Sequence, residues 1–102
     1  MNLKAKARLW CQEAIETEIV THESGVTADI AGKLVSIAER SRNLKGHGLD
    51  EGISTRLIVY AATLIGHGVS PVDACRMAMV RPITDDADVI DTLDHAITAV
   101  FG

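Results

Sequence analysis

Apolar residues recur at helical spacing along almost the whole chain and are interrupted by short glycine or proline joints. From Leu3 to about Glu23 there is neither Pro nor Gly. Leu3, Ala7, Trp10 and Ala14 fall on one helical stripe, and Ile15, Ile19 and Val20 lie on a neighbouring row. This drift of the apolar face predicts either one helix with a wide buried side or a break near Gln12. Gly25 offers the left-handed residue that would end it.

Thr27 is a suitable N-cap for the next helix, with Asp29 in its favourable first turn. Ile30, Leu34, Ile37, Ala38 and Leu44 mark the clearest amphipathic face in the chain, and Gly46 and Gly48 are its expected stop. Ser54 can cap a third helix. There Leu57, Ile58, Val59, Ala61, Ala62, Leu64 and Ile65 leave few polar positions, which predicts the central and most buried element.

Gly66 and Gly68 close that helix. Ser70 and Pro71 supply an N-cap and an N1 proline, and Asp73 stands where the acid of a capping box belongs. The following helix is expected to reach about Val80, ahead of Pro82. An aspartate-rich turn, with Asp85 and Asp86 as capping residues, then opens a last helix that turns Val89, Ile90, Leu93, Ile97 and Val100 inward. No strand-like alternation interrupts this pattern, so the fold class is all-α, a compact bundle of four to five helices.

Composition refines the picture. With 102 residues, 47% hydrophobic and 24% charged, the chain is one globular domain. One Trp, one Tyr and one Phe leave the core to aliphatic side chains. A net charge of −4 and a pI near 5.4 argue against nonspecific binding to duplex DNA, which needs a basic footprint. Charge is unevenly placed: Lys33, Arg40, Arg42, Lys45 and Arg56 gather in the middle, and Asp85 to Asp94 carries five aspartates and no base. A solvated acidic helix accounts for that run.

Cys11 and Cys75 form no CxxC pattern, so reduced thiols are expected, with Cys75 a small buried hydrophobe. Neither a signal peptide nor a membrane span is visible in the sequence, which predicts a cytoplasmic protein.

Most candidate chemistry fails on spacing. Gly32-Lys33 is no P-loop, because Thr27 occupies the first glycine position and Leu34 replaces the magnesium-binding hydroxyl. His22, His47, His67 and His95 lack metal-ligand spacing, and Asp85, Asp86 and Asp88 lack the calcium-loop pattern. Met77 and Met79 face opposite sides of one helix, so at most one is core. Val26 to Arg42 superficially suggests a helix-turn-helix, without an internal turn or a set of base-reading side chains.

One stretch stands apart. LKGHGLDEGISTR, Leu44 to Arg56, is a glycine-rich loop leading into a helix whose first turn carries an arginine. A cation at this end opposes the helix dipole and costs a few tenths of a kcal/mol up to about 1. Phosphate is a natural counter-charge, since the guanidinium grips its oxygens in a planar, two-pronged manner. The competing reading is a surface arginine that lies along the bundle or pairs with Asp50 or Glu51.

Gly52-Ile53-Ser54-Thr55-Arg56 is similar to a Gly-x-Ser-x-Arg element, and Arg81-Pro82-Ile83-Thr84-Asp85-Asp86 to a Pro-Leu/Ile-Thr-Asp-Asp turn. Both belong to the C-terminal region of the CbbQ/NirQ/NorQ group, in the MoxR branch of AAA+ ATPases. The resemblance runs from about Glu16 to the end. It divides the chain into an N-terminal helical extension, residues 1–15, and a lid domain, residues 16–102.

The resemblance implies a lid that follows a nucleotide-binding core, with Arg56 as the sensor 2 residue reaching ATP phosphate and Ser54 capping the helix that aims it. Gly46, Gly48 and Gly52 would let the preceding loop approach that core. It also implies a hexameric machine with a von Willebrand A domain partner, acting in Rubisco activation or nitric oxide reductase maturation.

Walker A, Walker B, sensor 1 and arginine-finger elements are missing from the sequence. ATP and magnesium would therefore enter only through the absent core, and no activity is expected of this chain alone, which reads as an excised piece or a truncated copy. The alternatives are a free-standing helical interaction module, in which Arg56 meets a protein carboxylate, and a small DNA-binding regulator.

Overall fold

Local signals start and stop the helices much as the sequence predicts. The computed structural model describes residues 3–44 and 52–102, with side chains of the first helix from residue 13 onward. Helix α1 spans Leu3–Ser24, α2 Ala28–Asn43, α3 Thr55–Gly66, α4 Pro71–Cys75 and α5 Ala87–Phe101. All regular structure among the described residues is helical.

Of the two alternatives for the first segment, the uninterrupted helix is the one observed. It ends at Gly25, whose φ of 79° permits the Gly25 N–H to donate to the Thr21 carbonyl at 2.9 Å. Thr27, Ser54, Ser70 and Asp86 are the N-caps of α2, α3, α4 and α5. Each side chain accepts from an amide in the following turn, satisfying a donor that the helix cannot pair internally. Asp85 is exposed and does not serve α5, so only Asp86 of the two expected caps does so. Asp73 accepts no bond from Ser70 among those observed; its carboxylate lies 3.9 Å from Arg76, leaving half of the capping box.

At the end of α3, Gly68 takes a φ of 96°, its N–H bonds the Ile65 carbonyl and the Val69 N–H bonds the Leu64 carbonyl. This paired arrangement satisfies the last carbonyls and turns the chain sharply into α4. The helix expected to reach Val80 as one α-helix instead widens. Residues Arg76–Val80 form a π turn, with the Arg81 N–H donating to the Arg76 carbonyl five residues back.

The core is aliphatic, as expected. Its largest fully buried side chains are Leu34, Ile37, Ile53, Ile58, Met79, Leu93 and Ile97. Met79 is buried and Met77 exposed, consistent with their opposite faces. Cys75 is also buried, which pushes its thiol up to about 12.

Three expectations about faces need correction. The most buried helix is α2, with Ala31, Leu34, Val35, Ile37, Ala38 and Ser41 inside, against Ile58, Ala61 and Ala62 in α3. Helix α3 packs on α1, α2, α4 and the π turn, yet its outer side, including Tyr60, remains in solvent. Ile15 and Ile19 in α1 are 55% and 43% exposed, and Ile90 in α5 is 37% exposed. The apolar pattern identified the helices but assigned too many of these residues to the interior.

Candidate functional site

The Gly52 to Arg56 stretch folds as a tethered entry into α3. Ile53 is fully buried although it lies outside any helix. Its N–H donates to Ser41 Oγ at 2.8 Å, and its carbonyl accepts from Arg42 Nε at 3.3 Å and Nη2 at 3.0 Å. Both backbone groups of this buried residue are thus satisfied by consecutive side chains of α2, which removes the desolvation cost of an unpaired amide.

Arg42 is the hub of this arrangement. Nη1 and Nη2 donate to Glu16 Oε1 and Oε2 at 2.9 and 2.7 Å, a two-pronged grip on a carboxylate in α1. Nη1 also donates to Glu39 one turn earlier on α2. Together with the two bonds to Ile53, every N–H of the guanidinium is engaged. Bonding to Glu16 raises the Arg42 pKa above its usual value against the opposing effect of burial, and Glu39 raises it further.

Glu16 completes the link to α3. Thr55, the first residue of that helix, donates its hydroxyl to Glu16 Oε2 at 2.5 Å. Burial pushes the carboxyl up, but hydrogen bonds from Arg42 and Thr55 and the charge of Arg42 outweigh it and hold Glu16 below its ordinary 4.5. Helix α3 has no acid in its own first turn. Glu16 supplies that negative charge through space, where the dipole favours it.

Gly52 lies against Arg42, so the neighbour that crowds this glycine is α2 of its own domain. Gly46 and Gly48 lie outside the described residues. So do Asp50 and Glu51, the carboxylates that pair with Arg56 in the competing surface reading. Ser54 caps α3 by accepting the Leu57 N–H at 3.4 Å. Arg56 follows in the same turn and is exposed, and no ion pair joins it to another described residue.

The structure therefore brings Ser54 and Arg56 onto one helix start and ties Gly52, Ile53 and Thr55 inward. Sequence reasoning missed Glu16, Arg42 and Thr55. The traces of them in the sequence were Arg42 in the central basic group and Thr55 within the Gly52 to Arg56 motif. A shallow groove of about 360 Å³ lies beside the network, lined by Ile15, Glu16, Ile19, Glu39, Arg42 and Thr55.

Elsewhere, Arg76 on the π turn pairs with Asp94 of α5, and Asp91 lies beside His95, which accounts for much of the acidic run as surface electrostatics. Lys33 pairs with Asp29 and lies 5.8 Å from the centre of the Phe101 ring, the behaviour of a surface helix lysine. No cluster of metal-ligating side chains occurs among the described residues. None of the described helices is long and apolar enough to cross a membrane.

Comparison with known proteins agrees with the motifs. The family described as CbbQ/NirQ/NorQ C-terminal matches residues 16–100. Protein CbbQ of Hydrogenophilus thermoluteolus is 60% identical over 85% of this chain and 33% of its own length. Protein NorQ of Paracoccus denitrificans is 46% identical over 89% of this chain and 34% of its own. The denitrification regulatory protein NirQ of Pseudomonas aeruginosa is 41% identical over 76% and 30%. The chain spans about a third of the length of these curated relatives. With the matched region running from the middle of α1 to the end of α5, and including the tethered Gly52 to Arg56 entry, the chain belongs to the CbbQ/NirQ/NorQ C-terminal family.

Proposed function

We propose that this domain is the helical lid of an AAA+ ATPase similar to CbbQ and NorQ, and that Arg56 is its sensor 2 arginine. The observation that supports this reading is the contrast within one motif. Gly52, Ile53 and Thr55 are held against the domain, Ser54 caps the helix, and Arg56 extends from its first turn into solvent. A guanidinium presented by a fixed helix start is suited to bind phosphate oxygens as charge redistributes during phosphoryl transfer.

On this reading ATP and magnesium are held by a separate nucleotide-binding core, and the lid angle responds to the state of the phosphate. The assembly would be a cytoplasmic hexamer that works with a von Willebrand A domain protein, in Rubisco activation or nitric oxide reductase maturation. Arg56→Ala in a parent ATPase containing the core should lower its ATP turnover about tenfold or more. An unchanged rate would remove Arg56 from the nucleotide site. Loss of partner binding at an unchanged rate would favour a helical interaction module instead.

A further inference from the structure

We infer that Glu16, Arg42 and Thr55 form a positioning clamp that fixes where Arg56 reaches, so that the placement of α1 is transmitted to the start of α3. This rests on the sensor reading of Arg56. The geometry supporting the clamp is independent of it.

Apolar packing alone does not fix a helix start. Ile58, Ala61 and Ala62 hold α3 against its neighbours from the second turn onward. Ile53 anchors the entry in the core, and directional bonds orient it. Ser41 and Arg42 secure both backbone groups of Ile53, and Thr55 is bonded to a carboxylate that Arg42 grips with two nitrogens. The residue after Thr55 is Arg56. A shift of Glu16 with α1 would move the acceptor of the Thr55 hydroxyl and rotate or slide the first turn that carries the guanidinium.

Phosphate recognition by a planar fork tolerates little displacement, and misplacement by about 1 Å can cost about 100-fold in rate. Glu16 and Arg42 are therefore more than a stabilising ion pair. Arg42 uses all its donors within the domain and none toward an outside ligand, which makes it a positioning residue. Thr55 is the point where the clamp enters the helix.

Thr55→Val removes the hydroxyl at nearly constant volume, and Thr55→Ser retains it. Both are compared with Arg56→Ala and with the Thr55→Val, Arg56→Ala double variant in the parent ATPase. Turnover, KM for ATP and melting temperature are measured for each.

Thr55→Val should lower turnover about tenfold with a melting temperature close to that of the parent, and Thr55→Ser should retain most activity. Added to Arg56→Ala, Thr55→Val should cause no further loss, because its effect passes through Arg56. Parent-like turnover in Thr55→Val, beside a loss in Arg56→Ala, would overturn the clamp and leave the sensor reading intact. So would losses that multiply in the double variant, or a loss that follows the melting temperature. An Arg56→Ala variant with unchanged turnover would overturn both.

Discussion

Gly52 and Arg42 are in contact so close that a side chain at position 52 has no room: an added Cβ would lie 2.6 Å from Arg42 Cγ and 3.0 Å from its Cα. The motif glycine is thus explained by packing within the domain. Gly52→Ala must displace the backbone of α2 or the loop, and with it the Arg42 bonds to Ile53 and Glu16. We expect a loss of about 1–3 kcal/mol, read from urea denaturation. A midpoint equal to that of the unaltered chain would show that the loop relaxes freely.

Glu16 should make stability dependent on pH. Its folded pKa lies below the ordinary 4.5. The carboxylate therefore contributes stability that is fully present above about pH 4.5 and is lost as pH falls through the folded value. Asp94, held below its ordinary value mainly by the hydrogen bond from Arg76, acts in the same direction but is more exposed and more readily screened by salt. Glu16→Gln should flatten the fall in stability as pH drops below about 4.5, even in high salt. Parallel curves for the two proteins would show that the half-buried Glu16–Arg42 pair is not the source.

Cys75 should resist modification while the domain is folded. Burial removes access and pushes its thiol up to about 12, so almost no thiolate forms near pH 8. Mass spectrometry after iodoacetamide treatment should find the peptide containing Cys75 unlabelled in buffer and labelled in denaturant. Rapid labelling in buffer would imply frequent opening of the α4 region.

Asp85 and Asp86 are neighbours of like chemistry with different work. Asp86 accepts the Asp88 and Val89 N–H groups, whereas Asp85 is solvent-exposed. Asp86→Ala should cost about 1 kcal/mol, and Asp85→Ala should stay within about 0.5 kcal/mol of the parent. Equal losses in thermal denaturation would contradict this assignment of the cap.

The helices were legible because their signals are local. Thr27, Ser54 and Ser70 cap within three residues of their own position, and Gly25 and Gly68 supply positive φ where the chain must reverse. Arg56 was also visible, as a cation at the dipole end that disfavours it. A rule that looks four residues ahead can find all of these.

Tertiary packing decided the rest. Whether Ile15, Ile19 and Ile90 are buried depends on which neighbour covers them, and periodicity says only that they share a side of a helix. The widened turn at Arg76–Val80 likewise follows from no local breaker, since proline appears only after it. Arg42 meets Glu16 across a separation of 26 residues, and Thr55 meets the same carboxylate across 39. By itself the sequence determined an all-helical chain with capped ends and a cation in the first turn of α3. Only the assembled bundle brought α1 and α2 to the foot of α3, because directional bonds between distant side chains exist once apolar burial has set the helices beside one another.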